Sequence, residues 1–394
     1  MPSRTEDDIW MRDKGEQYEY IARYVDDLAI ASKNPQEIVD ELQGKHKLKL
    51  KGTGPITYHL GCDFFRDKEG VLSMCPKRYI DKIVVNYEQM FGCKPKVYSS
   101  PLEKNDHPEL GTSGELDVEG IRKFQALIGA IQWAVSIGRL DMATAVMTLS
   151  KFRVAPRVGH MERAKRIIGY LWKMKHGTIR FQVSQPDMSS YPKTVYGWER
   201  SVYGNVTERI PDDAPPRKGK QVVMITFVDA NLLHDVVTGR SVTAVLHFLN
   251  KTPIDYYSKR QSTIETATCG SEFVASRTAT EQIIDLRITL RYLGANVCDE
   301  VFMFGDNESV VKSATIPHAK LHKRHVLLSF HRVREAIASG MLRFLHVPGN
   351  LNPADILSKA WAYNRVWPIL KSILFWEGDT AELIKDNDSM LGEL

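Results

Sequence analysis

Apolar and polar positions alternate over residues 18–30 and 56–65, which predicts half-buried strands, and the period turns helical across 77–91. The first hundred or so residues therefore read as α+β. From about 117 to 180 the pattern is helical: IRKFQALIGAIQWAVSIGR (121–139) and HMERAKRIIGYLWKMKHG (160–177) set apolar side chains at i, i+3, i+4 and i+7, and Gly177 is a stop signal for the second. The period then breaks. Residues 184–220 hold Pro186, Pro192, Pro211, Pro215 and Pro216 among Asp, Gly and Ser, which predicts a linker with a short hairpin near 202–207. Beyond it come three β-rich runs, VVMITFVD (222–229), SVTAVLHFLN (241–250) and IDYYSKR (254–260). A helical stretch (263–293), a strand (301–306), a helix (327–339) and a strand (341–347) follow. Asn352-Pro353-Ala354-Asp355 then supplies an N-cap residue, a first-turn proline and a first-turn acid for a last helix. This order predicts a five-stranded mixed sheet with flanking helices.

The length, 394 residues, suits two to three domains, and 43% hydrophobic with 26% charged residues excludes a disordered or fibrous chain. Apolar runs such as 127–137 are interrupted by Gly, Gln or Ser, so no membrane span is expected, and the charged N-terminus is no secretory signal. Five cysteines without CxxC spacing argue against a disulfide framework or a zinc site and for a reducing compartment. A net charge of +5 permits a polyanionic partner.

Four acids of the last region stand where chemistry needs them. Asp229 ends the first strand, Glu272 lies in the helix among small and apolar residues, Asp306 ends the fourth strand, and Asp355 opens the last helix. They are 43, 34 and 49 residues apart, so only the fold can unite them. Singly, each has an ordinary reading as a turn former, solvated helix residue or helix-dipole partner. Together they would form an oxygen-rich site for hard divalent ions, above all Mg²⁺. Two such ions can activate a water and stabilise the leaving oxygen of a phosphodiester.

The motifs that carry these acids are FVDAN (227–231), ETATCGSEFVA (265–275), FGDNESVV (304–311) and NPADILSK (352–359), with HKRHVLLSFHRVRE (322–335) between the last two. With the strand GRSVTAVLHFLNKTPIDYYSKRQST (239–263), they resemble the ribonuclease H domain of copia-type LTR retrotransposon Pol polyproteins. The resemblance implies that Asp229, Glu272, Asp306 and Asp355 are metal-binding acids, with two Mg²⁺ ions or Mn²⁺ as the alternative. It also implies cleavage of the RNA strand of an RNA–DNA hybrid. Many such nucleases carry a mobile histidine shortly before the last acid; here His346 reads as a strand residue and is not given that role.

Near the N-terminus, Tyr24-Val25-Asp26-Asp27 sits between two strand-like runs. An Asp pair in a turn is commonplace by itself. With the tyrosine and β-alternation on both sides, it resembles the active-site hairpin of reverse transcriptases. The segments 58–84, 124–152 and 160–171 extend the likeness to copia-type Pol. The architecture expected is a partial palm and thumb (1–98), a helical connection (99–181), a proline-rich linker (182–221), a ribonuclease H-like domain (222–360) and a tail (361–394). The polymerase reaction needs a third Asp from an upstream strand, and Asp7, Asp8 and Asp13 lie in a polar stretch. The polymerase part is therefore expected to be truncated, with Asp26 and Asp27 as half of its metal site.

Lys45, Lys47, Lys49 and Lys51 alternate with His46, Leu48 and Leu50, either as a solvated strand edge or as a phosphate-tracking stripe. Tyr24, Lys320, Lys323, Arg324, His325, Arg332 and Arg334 are the expected nucleic-acid contacts, read through backbone charge and shape. The tryptophans at 133, 172, 361, 367 and 376 read as core anchors. The partners implied are an RNA–DNA hybrid and the rest of a Pol polyprotein, with no membrane. The implied location is cytoplasmic, in the parent element's virus-like particle, or nuclear. Competing readings are a non-catalytic relic or adopted nucleic-acid-binding module and, further off, an unrelated α/β phosphohydrolase. The purified chain should fail to extend a primer on an RNA template; measurable extension would overturn the half-site reading.

Overall fold

The computed structural model describes residues 2–375 except Pro192, Val195, His322 and Lys323. The expected contact Lys323, the anchor Trp376 and the tail beyond 375 lie outside the described residues. Strands β1 (Ile9–Asp13), β2 (Tyr18–Tyr24) and β3 (Asp27–Ala31) form an antiparallel sheet. Tyr24 pairs with Asp27, which leaves Val25 and Asp26 as a two-residue turn. Val25 has φ 54°, a left-handed conformation that β-branched residues adopt only under strain. Strand β1 corrects the reading of the stretch around Asp7, Asp8 and Asp13 as a polar segment with no matching strand. Only Met11 of IWMRD is buried, so the ladder to β2 defines this strand rather than apolar alternation. Helix α1 (Pro35–Gly44) follows. Residues 45–51 form no strand, a second correction: Lys47 has φ 54° and Leu48 remains exposed, so no apolar face drives pairing there.

Strands β4 (Tyr58–His59), β5 (Cys62–Arg66) and β6 (Leu72–Cys75) precede helix α2 (Lys77–Phe91), which stops at Gly92 in a left-handed conformation. The helical region contains α3 (Val118–Ser136), α4 (Ala143–Ser150) and α5 (Val158–Lys173). Asp117 caps α3, its carboxylate accepting from the Gly120 N–H at 2.7 Å. Ile128, Ile131, Leu149, Ile167 and Leu171 fill the space between these helices. Trp133, expected as a core anchor, is instead 38% exposed on the outer face of α3. Strand β7 (Ile179–Arg180) then returns to pair with β6.

The linker expectation needs correction next. No hairpin forms near 202–207. Instead the segment is strapped onto the following domain. Trp198 is buried beneath the Arg334 guanidinium, and Glu208 accepts from both Arg287 and Arg291 on a single helix. Strand β8 (Lys218–Val222) closes the strap by pairing in parallel with a later strand.

That domain has strands β9 (Met224–Asp235), β10 (Arg240–Leu249) and β11 (Thr252–Arg260), helix α6 (Thr268–Tyr292), and strands β12 (Ala295–Val297) and β13 (Val301–Gly305). Helix α7 (Glu308–Thr315), helix α8 (Leu327–Ala338), strand β14 (Leu342–His346) and helix α9 (Tyr363–Ile373) complete it. The main sheet has the order β11-β10-β9-β13-β14, antiparallel across β9 to β11 and parallel across β9, β13 and β14. This is the expected five-stranded mixed sheet. Both faces of β10 are covered. Val245 packs with Phe273, Ile283 and Phe330 of the helices, while Ala244 and Leu246 face Ile356, Trp367 and the α3–α5 bundle. That double burial explains why consecutive residues of the strand, Ala244, Val245 and Leu246, are all apolar instead of alternating with polar ones. The part expected as a tail also joins the core, since Trp367 is wholly buried. No helix among the described residues is long and apolar enough to cross a membrane.

The bundle and the sheet also meet through polar groups. His234 lies between Thr148 Oγ1 (3.2 Å) and Asn231 Nδ2 (2.9 Å), and Lys151 pairs with Asp235 at 2.8 Å. Burial pushes the His234 imidazole down to about 4. The unfolded chain then takes up a proton near pH 6.5 that the folded chain refuses until about pH 4, so His234 costs stability as pH falls through that window. The thermal midpoint should drop by about 2–4 °C more in wild type than in His234→Gln between pH 6.5 and 5; equal slopes would refute this. Close packing generates a second expectation. A Cβ at Gly169 of α5 would lie 1.7 Å from the Lys96 carbonyl oxygen. Gly169→Ala should therefore cost about 3 kcal/mol or more in chemical denaturation, and an unchanged midpoint would contradict that contact.

Candidate metal centre

Asp229 lies in the middle of β9, not at its end as the sequence suggested, because the strand continues to Asp235. Its backbone pairs with Ala244 of β10, one residue beyond the last rung of the ladder to β13, and its side chain is 1% exposed. Glu272 stands in the second turn of α6, also buried, and Asp306 follows directly on β13. Oxygens of these three carboxylates lie within 4.8 Å of one another. Among the described residues they are the group of three or more ligating side chains that could hold a metal ion. Burial, then the charges of Asp229 and Asp306, raises the Glu272 carboxyl well above its ordinary range. Burial, then Asp229, raises Asp306 as well. Carboxylates that disfavour one another's ionisation in a shielded pocket are suited to a cation, and an all-oxygen set suits Mg²⁺ or Mn²⁺. The residues therefore fit a divalent ion.

Asp355, expected as a fourth ligand, is not in this set. It sits in a short 3-10 turn (Pro353–Leu357) rather than an α-helix. Its Oδ1 accepts from Lys359 Nζ at 2.6 Å and its Oδ2 from Arg365 at 3.3 Å, so both oxygens are already engaged by cations. Lys359 Nζ also lies 3.2 Å from Asp229 Oδ2, which additionally accepts from the Ser358 hydroxyl. Asp355 is thus joined to the other acids through a lysine.

The turn itself is pinned to the sheet. Buried Asn352 caps it, accepting from the Ala354 N–H at 3.1 Å and donating to the Val228 carbonyl at 2.9 Å. Ser258 donates to Leu357 O at 2.6 Å, and Thr144 of α4 donates to Ile356 O at 3.1 Å. Asn352 is the cap the sequence predicted, whereas Ser358, Lys359 and Arg365 were not singled out from sequence. The i, i+4 spacing of Asp355 and Lys359 was visible in NPADILSK; the reach of Arg365 from the following helix was not. Gly349 packs against Asp306, and His346 is 3.2 Å from the Asp306 carbonyl oxygen at the end of β14.

The other acid pair is different. Asp26 and Asp27 are exposed at the tip of the β2–β3 hairpin, with Tyr24 48% exposed beside them. Asp27 faces His59 at 3.7 Å, while Asp8 pairs with Arg23. Among the described residues no third acid completes a metal group there.

Of the expected nucleic-acid contacts, Lys320 and Arg324 are exposed. His325 is exposed but bonded to buried Glu265 at 2.9 Å, and Arg332 pairs with Glu335 at 2.9 Å. Arg334 is a correction. It is 3% exposed and donates to the carbonyls of Ser313, Ile316 and Pro317, so it fastens α8 to the end of α7 and does not face a ligand.

Residues 1–103 match the family described as reverse transcriptase (RNA-dependent DNA polymerase). The chain is 23% identical over 351 residues to the retrovirus-related Pol polyprotein from transposon TNT 1-94 of Nicotiana tabacum, covering 87% of this chain and 23% of that protein. It is 21% identical to the corresponding protein from transposon RE1 of Arabidopsis thaliana, covering 89% of this chain and 21% of that protein. The chain thus spans between a fifth and a quarter of the length of these curated relatives. Among solved structures, ribonuclease H1 from Halobacterium salinarum aligns at 16% identity with a TM-score of 0.27, over 38% of this chain and 98% of that one. The likeness to copia-type Pol read from the motifs therefore extends along most of the chain, with the reverse transcriptase match in residues 1–103 and the five-stranded mixed sheet lying beyond it.

Proposed function

We propose that this chain is a Pol segment whose ribonuclease H-like domain hydrolyses the RNA strand of RNA–DNA hybrids. The observation that carries the reading is the meeting of Asp229, Glu272 and Asp306 at one point of the mixed sheet. Mg²⁺ held by these residues would supply Lewis-acid activation of water and neutralise charge at the leaving oxygen. The chain's own groups do the positioning. Ser358 fixes one oxygen of Asp229, and the Asn352 bond to β9 fixes the turn that carries Asp355. Lys320 and Arg324 offer phosphate contacts, for which hybrid shape rather than base sequence is the recognised feature. Asp26 and Asp27 do not support polymerisation in this reading, because they lack a third acid among the described residues. The site of action would be the parent element's cytoplasmic particle or the nucleus.

One observation favours a second reading, an adopted nucleic-acid-binding module. Asp355 already has two cationic partners and needs no metal. A labelled RNA–DNA hybrid with Mg²⁺ separates the two. Cleavage of the RNA strand is expected, falling by at least about 100-fold in Asp306→Asn, which keeps the side chain's shape. Salt-sensitive binding with no cleavage by the wild-type chain would overturn the nuclease and leave the module.

A further inference from the structure

We propose that Lys359 is a displaceable internal cation that holds the place of a second metal ion, so the two ions load unequally. The inference rests on the nuclease reading above and concerns how its metal site fills. Asp229 belongs at once to two clusters. On one side it meets Glu272 and Asp306, with all three oxygens within 4.8 Å; the Lys359 charge is felt there, while its hydrogen bonds go to Asp229 and Asp355. On the other it shares the Lys359 ammonium with Asp355, at 3.2 Å and 2.6 Å. A second divalent ion bridging Asp229 and Asp355 would need the position that Nζ holds, and the two cations would repel each other. The first corner is open to an ion; the second is filled by the chain itself.

The lysine is built to leave. Its side chain is 27% exposed, its stem is flexible, and it lies four residues from Asp355, so it can rotate without moving the turn. Trp361 lies next to it, with the ring centroid 5.7 Å from Nζ, and offers the withdrawn ammonium an aromatic face. Arg365 stays on the other Asp355 oxygen and keeps that carboxylate in place while Oδ1 is freed.

The test counts ions on the full chain with Mn²⁺ alone, by calorimetry and by the electron paramagnetic resonance of unbound Mn²⁺. Wild type should bind one ion, with a second at least about tenfold weaker, and Lys359→Met should bring the second to within a few-fold of the first. Lys359→Arg should keep the unequal pattern. If Lys359→Met does not fold, acetylation of wild type followed by mass spectrometry answers the same question, because labelling of Lys359 should rise as Mn²⁺ reaches saturation of the second site. Identical isotherms for wild type and Lys359→Met, or Lys359 labelling that does not respond to Mn²⁺, would overturn the proposal. If Asp306→Asn still abolishes the first ion in that case, the metal centre stands without the lysine's role. If wild type binds no Mn²⁺, both fall.

Discussion

Three carboxylates share one pocket, and the domain's architecture answers to that constraint. Two like charges at the observed spacing repel by about 3–4 kcal/mol at the effective dielectric of a protein surface, and burial adds to this. A fold driven only by apolar burial would spread Asp229, Glu272 and Asp306 apart. Here they are brought in by three elements that cannot easily yield: a strand bonded on both sides, a helix packed across the sheet, and the end of a parallel strand. The apolar contacts of Phe273 and Ile283 with the sheet hold α6, and therefore Glu272, against that repulsion. The conflict registers in Glu272 and Asp306, whose carboxyls are both raised above their ordinary range by burial and by the charge of Asp229.

The same constraint explains why the helical connection belongs to the site physically. The turn bearing Asp355 and Ser358 is bonded from three directions: by Asn352 to β9, by Ser258 of β11, and by Thr144 of α4. The third comes from outside the five-stranded sheet. On the same face, His234 links α4 to Asn231, and Asn231 reaches the Ser358 carbonyl at 3.2 Å. A change in the packing of α4 is therefore felt at the atoms that orient Asp229. The 198–213 strap works at the far side, where Glu208 pairs with two buried arginines of α6.

What the sequence disclosed follows from what each element depends on. β9, β10 and β13 carry their own apolar signal, and the acids were marked by the motifs that hold them. Strand β1 left no such signal, since only Met11 of its five residues is buried and its partner defines it. The lysine-rich 45–51 run showed the converse, with strand-like alternation and no partner to realise it. Prolines made 184–220 look like a free linker, because a strap held by Trp198, Glu208 and an arginine pair is written in distant residues rather than in periodicity. Arg334 looked like a surface cation for the same reason: sequence reports charge, and only packing shows that the guanidinium points inward.

The two acid motifs of the chain show how far a motif alone can be carried. Asp26 and Asp27 are adjacent in sequence, yet they stand in water at a hairpin tip where solvent screens them. Asp229, Glu272 and Asp306 are far apart in sequence, yet they perturb one another because water is excluded. A carboxylate buried against its own kind calls for a cation more strongly than one standing in water. The strained Val25 turn is what the polymerase-like hairpin retains. Chemistry in the described residues is accordingly concentrated where the electrostatic conflict is, at β9, with Lys359 holding part of that conflict in check from within the chain.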